Sequence, residues 1–234
     1  MSKLPELTPL HVTSAISQFQ ISSDVPTIMA YDQPITIHAQ PKTDLWRKPP
    51  TMDVDNAPTL LISTPIDIHK FQSARVTVSA DWNTLYDQGG LVFFIPGKDG
   101  TTGTWMKTGI EFYGGKPFVG SVFTTHWSDW ALVPMAKEKG GKLTVQVERQ
   151  VKEGKKLDSL WIYVVDEATG EKMLARQNTS WFTNDNPDPN ATSDNRCLMV
   201  GIYAARPTVP TGEGREHEKL PVKLEGFKVQ LFED

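Results

Sequence analysis

The sequence predicts an all-β protein, a sandwich of two packed antiparallel sheets, and three observations carry that reading. Apolar residues alternate with polar ones, or run as β-branched and aromatic stretches, over about ten segments. Glycines punctuate those segments where hairpins would close, because glycine accepts the positive φ that tight turns require. Helical periodicity is almost absent: the one helical candidate, residues 8–19, lacks a clean apolar stripe. A closed barrel is the alternative architecture, but segments apolar on both faces beside segments apolar on one face favour two stacked sheets.

In chain order, residues 35–39 and 59–63 are short strand candidates, followed by the stronger 75–81. Residues 90–95 are apolar on both sides, as a central strand would be, whereas 104–113 alternates. Gly114-Gly115 separates that segment from 118–125. Strands then follow over 142–150, 160–165, 172–177, 198–204 and 227–232, with turns expected at Gly140-Gly141, Gly154 and Thr169-Gly170. Residues 183–195, polar with two prolines, and 207–219, polar with prolines and glycines, have the composition of exposed loops.

The 234 residues fit one β domain, since sandwiches commonly reach roughly 200–250 residues as a unit. Residues 1–234 are therefore expected to form a single domain with a partly irregular segment over 1–34. Cys197 is the sole cysteine, which excludes an internal disulfide framework and fits a reducing compartment. The N-terminal stretch lacks the apolar core of a secretory signal, and the longest apolar runs, such as 91–95, fall far short of the ~20 residues of a membrane helix. A cytoplasmic protein that does not engage membranes is expected. The net charge is −4 and the basic residues are scattered, so nucleic acid is not an expected partner. No histidine pair has metal-ligand spacing and no glycine loop opens a helix, so neither a metal nor a nucleotide cofactor is expected.

The candidate chemistry lies on the strand 104–113. Its period of two puts Trp105, Lys107, Gly109, Glu111 and Tyr113 on one face and Met106, Thr108, Ile110 and Phe112 on the core face. An indole among charged groups has apolar area that water does not favour, which points to an open trough meeting a flat, hydroxylated ligand. Lys107 and Glu111, about 13 Å apart along the strand, would touch different parts of one extended molecule. The alternative is an ordinary solvated face with a cross-strand ion pair. Asp87 and Gln88 add a carboxylate and an amide beside Gly89-Gly90, with the satisfaction of turn amides as the plainer role. Asp129 would bind a sugar hydroxyl or a neighbouring amide, and of Trp127 and Trp130 one is expected in the core. Asp87 and Glu111 are the only carboxylate pair to consider for glycoside hydrolysis. The alternating acidic run of jelly-roll glucanases is missing, so binding is favoured over catalysis and no catalytic residue is assigned.

Five segments in order, Thr43-Asp-Leu-Trp-Arg47, Tyr86-Asp-Gln-Gly-Gly-Leu91, Trp105-Met-Lys-Thr-Gly-Ile-Glu-Phe112, Ser128-Asp-Trp130 and Val200-Gly-Ile-Tyr-Ala-Ala205, resemble the DUF1349 family of fungal regulation-of-enolase-like proteins. The resemblance runs from about residue 35 to the C-terminus. It implies a concanavalin A-like jelly roll, related to lectins and glucanases, and a cytoplasmic protein. Asp44, Trp46, Asp87, Gln88, Trp105, Lys107, Glu111, Ser128, Asp129 and Trp130 occupy the family-pattern positions. Gly89 departs from the alanine expected there, and residues 96–104 form a longer connection than a tight hairpin. The expected ligand-binding set is Trp46, Asp87, Gln88, Trp105, Lys107, Glu111, Asp129 and Trp130. Its expected ligand is a carbohydrate stacked on Trp105 and Trp130. The alternatives are a cytosolic regulatory protein that binds an enzyme such as enolase, and a glycosidase.

Overall fold

In a computed structural model, residues 4–10, 26–97, 103–135, 140–184 and 194–233 are described. Among them one sheet runs in the order β1 (Leu7–Leu10), β6 (Thr59–Ile62), β16 (Cys197–Ala205), β9 (Gln88–Ile95), β10 (Thr104–Tyr113), β11 (Lys116–Thr124) and β12 (Ser128–Pro134), with the short β7 (Ile66–Asp67) also on β16. The second sheet runs β15 (Lys172–Asn178), β14 (Lys155–Val165), β13 (Lys142–Lys152), β8 (Phe71–Ser79), β17 (Leu220–Leu231) and β2 (Ile28–Tyr31), with β3 (Ile35–Ala39) at the other half of β17. A separate hairpin pairs β4 (Leu45–Lys48) with β5 (Met52–Asp55). Every ladder between these strands is antiparallel. The fold is a concanavalin A-like jelly-roll β-sandwich. No helix among the described residues is long and apolar enough to cross a membrane.

The expected strands are present, and the turns follow from backbone chemistry. Gly114 and Gly115, at φ 57° and 80°, close β10 onto β11 with Tyr113 opposite Lys116, the double positive φ of a two-residue hairpin turn. Gly140-Gly141 closes no hairpin: it leads into β13, whose sheet is the opposite one from β12. The chain crosses between sheets there, a step that local turn chemistry does not encode. Of the helical candidate, residues 8–10 lie in β1 and 11–19 fall outside the described residues, as do 98–102 of the long connection and 185–193 of the polar loop.

Between the sheets, Phe71, Val145, Val147 and Ile162 meet Phe93, Met106, Ile110 and Val200 in one apolar core. Phe71 packs edge-on to Phe93 with ring centroids 5.5 Å apart. A second cluster lies on the far side of the eight-stranded sheet, where Leu45 and Ala57 cover Val92, Phe94, Trp105, Val122, Met199 and Tyr203. This overturns the reading of 104–113 as a strand with one solvated face. Trp105 is 1% exposed, Lys107 2% and Glu111 7%, because the chain around β4 and β5 roofs that face. Burying an aromatic such as Phe94 there contributes about 1.5–3 kcal/mol, which gives the roof its reason to stay down. Trp127, 60% exposed, and Trp130, half-buried against the second cluster, are both outside the main core, so the expectation of a core indole between them fails.

Candidate functional site: a roofed cleft on the eight-stranded sheet

Register builds the floor. On β10, Lys107 lies between Val92 and Val122, Gly109 between Gly90 and Gly120, and Glu111 between Gln88 and Phe118. Three glycines thus stand side by side across the sheet and leave room above them. The Glu111 side chain uses it: a Cβ added at Gly120 would come 2.9 Å from Glu111 Oε2, too close for any side chain to be accommodated without displacing the carboxylate. At Gly109 the φ of 157° and a Cβ position 2.1 Å from the Gly89 carbonyl oxygen exclude any other residue on steric grounds.

The polar groups form a linked set. Lys107 Nζ donates to Asp44 Oδ1 at 2.7 Å, and Gln88 Nε2 reaches the same oxygen at 3.4 Å. The Tyr203 hydroxyl donates to Gln88 Oε1 at 3.2 Å. Asp44 enters from the segment leading into β4, where Asn56 Oδ1 accepts its backbone N–H at 2.8 Å and its own carbonyl accepts the N–H groups of Asn56 and Ala57, each at 3.1 Å. The lysine charge is therefore neutralised by a carboxylate held in a fixed backbone frame. Trp130 Nε1 donates to Glu111 Oε2 at 2.9 Å. Burial pushes the Glu111 carboxyl above its ordinary value, with nearby Asp44 adding to the rise while Lys107 and the Trp130 bond oppose it. Burial, with Glu111 and Asp44 nearby, also holds the Tyr203 phenol well above its usual range.

Aromatic rings make the wall. Trp130 meets Trp46, Tyr86 and Tyr113 edge to face, with centroids 6.5, 6.1 and 5.6 Å away. Arg47 fastens the hairpin above: its guanidinium donates to the carbonyls of Gly103 and Thr125 at 2.7 and 2.8 Å, and its backbone N–H donates to the Ser128 hydroxyl at 2.9 Å. Between roof and floor lies a cleft of about 480 Å³, lined by Asp44, Trp46, Met52, Val54, Tyr86, Gln88, Lys107, Glu111 and Trp130, with Lys42, Pro207 and Thr208 at its edge.

The structure brings Trp46, Gln88, Lys107, Glu111 and Trp130 of the expected set together, with Asp44. It does not bring the other three. Trp105 is under the roof in the second apolar cluster and offers no stacking face to the cleft. Asp87 is fully buried, gripped by Arg206 through two 2.8 Å bonds and by the Thr84 N–H at 3.0 Å. Asp129 alternates to the opposite side of β12 from Trp130 and pairs with Arg176. With Asp87 so engaged, the Asp87–Glu111 pair considered for hydrolysis does not exist, and the two carboxylates that share the cleft are Asp44 and Glu111. Sequence reasoning missed Tyr86 and Tyr203, and it missed the strands β4 and β5. Tyr203 sits in an apolar run that reads as core, and β5 is four residues long, too short for periodicity to register. Among the described residues no group of three or more metal-ligating side chains converges.

The raised Glu111 pKa has a sign that can be tested. The folded protein retains the proton better than the unfolded chain, so stability falls as pH rises from the ordinary carboxyl value of 4.5 through the folded-state value. Glu111→Gln, which keeps an acceptor for Trp130, is expected to gain stability relative to wild type as pH rises through that window, and no further above it. Urea unfolding midpoints of both proteins across the pH range check this; a pH-independent difference would contradict it.

A model of a family described as a protein of unknown function (DUF1349) matches residues 24–231. An uncharacterized protein of Emericella nidulans is 39% identical over 178 residues, 76% of this chain and 80% of that protein. Regulation of enolase protein 1 of Saccharomyces cerevisiae is 32% identical over 98 residues, 42% of this chain and 45% of that protein. Among solved structures, a functionally unknown protein from Saccharomyces cerevisiae superposes with a TM-score of 0.61 at 21% identity, over 89% of this chain and 98% of that one. A GH43 protein, BlXynB of Bacillus licheniformis, superposes at 0.53 with 15% identity, over 84% of this chain and 33% of that one. Both superpositions bear on the fold alone.

Proposed function

We propose, from the premise that the chain belongs to the DUF1349 family, that its cleft binds a neutral, hydroxyl-rich ligand of the carbohydrate class without converting it. The observation that carries this reading is the pairing of an aromatic wall around Trp130 with a polar floor that is already hydrogen-bonded. Hydroxyl groups both donate and accept, and so match a floor that mixes Gln88, Asp44, Lys107 and Glu111. A sugar's C–H face matches the half-buried rings. A phosphate or carboxylate ligand is disfavoured on the floor because Asp44 already neutralises Lys107, and inserting a second anion beside Asp44 and Glu111 would cost desolvation, with Lys42 the one further cation among the lining residues and exposed to water. In calorimetric titrations with neutral mono- and oligosaccharides, binding in the millimolar to micromolar range is expected. Trp130→Ala should weaken it about tenfold or more, a loss of about 1.4 kcal/mol, and Trp127→Ala should leave it unchanged. Saccharide panels that give no heat and no competition would defeat the reading.

A second reading, a regulatory protein that docks on a metabolic enzyme such as enolase, draws on the name of the yeast relative and on Trp127. An indole 60% exposed at the end of the hairpin that carries Trp130 has the character of an interface anchor. Under this reading Trp127→Ala abolishes capture of purified enolase while Trp130→Ala does not.

A further inference from the structure

The outer face of the seven-stranded sheet carries a second constellation of the same chemical kind. Leu160, Ile162 and Val164 point into the core, so Trp161 and Tyr163 stand on the other face, ring centroids 6.0 Å apart and inclined by 37°. Register puts Glu148 opposite Trp161 and Gln146 opposite Tyr163, then Ser73 beside Glu148 and Gln230 beside Ser73. With Gln72 and Gln150 these side chains line a groove of about 360 Å³.

The charges in the groove are already satisfied. Glu148 accepts from Lys172 Nζ at 2.7 Å and from Gln146. Lys172 also lies 4.9 Å from the Tyr163 ring centroid and braces that ring. Arg149 donates to the carbonyls of Leu157 and Ile68 at 2.8 and 3.2 Å and lies over Phe182. What remains is neutral: the carboxamides of Gln72, Gln150 and Gln230, the last accepting from the Ser73 hydroxyl at 3.3 Å, each able to donate and accept, with the exposed Val151 and the rings. The Trp161 Nε1–H is buried and has no acceptor among the described residues, so its signal reports on the ring beside the groove. A row of carboxamides beside aromatic rings suits vicinal hydroxyls and a C–H face. A peptide would need several apolar pockets for alternate side chains, whereas Val151 is the one aliphatic residue of this lining, and a polyanion would need unpaired cations.

We propose that this groove is a second binding site, for a neutral glycan chain, independent of the roofed cleft on the opposite sheet. The test uses the full chain, labelled so that the indole N–H signals of its seven tryptophans are followed during titration with short neutral gluco-oligosaccharides. The Trp161 signal, assigned from Trp161→Phe, is expected to shift saturably in wild type and equally in Trp130→Ala. Gln150→Ala with Gln230→Ala, substitutions at the groove's surface, should weaken that shift about tenfold while leaving the response of Trp130 intact. The proposal is overturned if the Trp161 signal ignores every saccharide, if the double glutamine variant binds as wild type does, or if only a neutral glutamine- and serine-rich peptide moves it. Loss of the Trp130 response alone would defeat the cleft reading and leave this one standing.

Discussion

Replacing Arg206 with methionine is expected to destabilise the protein by about 3–5 kcal/mol, the range for stranding one partner of a buried ion pair. Arg206 and Asp87 have side chains 1% and 0% exposed, and the two guanidinium–carboxylate bonds are both 2.8 Å. Without the guanidinium, the Asp87 carboxylate keeps, among the described residues, the N–H groups of Thr84 and Asn83, at 3.0 and 3.3 Å, against the full cost of a buried charge. Arg206 also donates to the Glu218 carbonyl at 2.9 Å, so the loop that brings Pro207 and Thr208 to the cleft loses its tie. Equilibrium urea unfolding measures the loss. Adding Asp87→Leu to Arg206→Met should restore much of the stability, because the penalty comes from the unpaired charge rather than from an absent attraction. A single variant that costs under about 1 kcal/mol would show that water reaches the pair.

The Arg206 backbone links that pair to the site. Its N–H donates to the Thr43 hydroxyl at 3.1 Å, and its carbonyl accepts the Thr43 N–H at 3.3 Å. Thr43 precedes Asp44, the carboxylate beside Lys107. Arg206→Met is therefore expected to weaken ligand binding in the cleft through a displaced Asp44, although Arg206 lies outside the cleft's lining.

Asp44→Ala is expected to cost about 2–4 kcal/mol and to abolish binding in the cleft. It leaves the Lys107 ammonium, only 3% exposed, without the carboxylate 2.7 Å away. The loss should be smaller than for Arg206, because Asp44 keeps 21% of its side chain in water and its exchange for alanine lets solvent approach the ammonium. Lys107→Met in the Asp44→Ala background should return most of the stability, since methionine fills the stem's space among Val92, Val122 and Trp105 without a charge. It should not return binding. A double-mutant cycle in urea, paired with saccharide titration, separates the two effects. Full binding in Asp44→Ala would remove the polar floor from the account of the site.

The sequence was read most securely where pattern is local. The alternation in Thr104–Tyr113 correctly put Lys107 and Glu111 on one face with Trp105, and Met106 and Ile110 on the other. The glycine pair at 114–115 correctly closed the hairpin that aligns Gly109 with Gly120. The errors that bear on the site concern the partners and cover its residues receive from distant segments. Asp87 looks like a ligand group in the sequence because nothing near it announces Arg206, and Asp129 looks equivalent to Trp130 although β12 turns them to opposite sides. The roof over Trp105 comes from a four-residue strand pair whose members are held by long-range bonds such as Arg47 to Thr125, and no periodicity encodes those.

What the sequence by itself determined about this protein is therefore the sandwich, its longer strands and the division of those strands into two faces, since side-chain direction along a strand follows from backbone geometry alone. Only the tertiary structure decided which of those faces meets water, which carboxylates share the cleft and where it opens. Solvent exposure depends on segments distant in sequence that fold back over a surface, and a buried charge shows its role only once its partner, brought from more than a hundred residues away, is beside it.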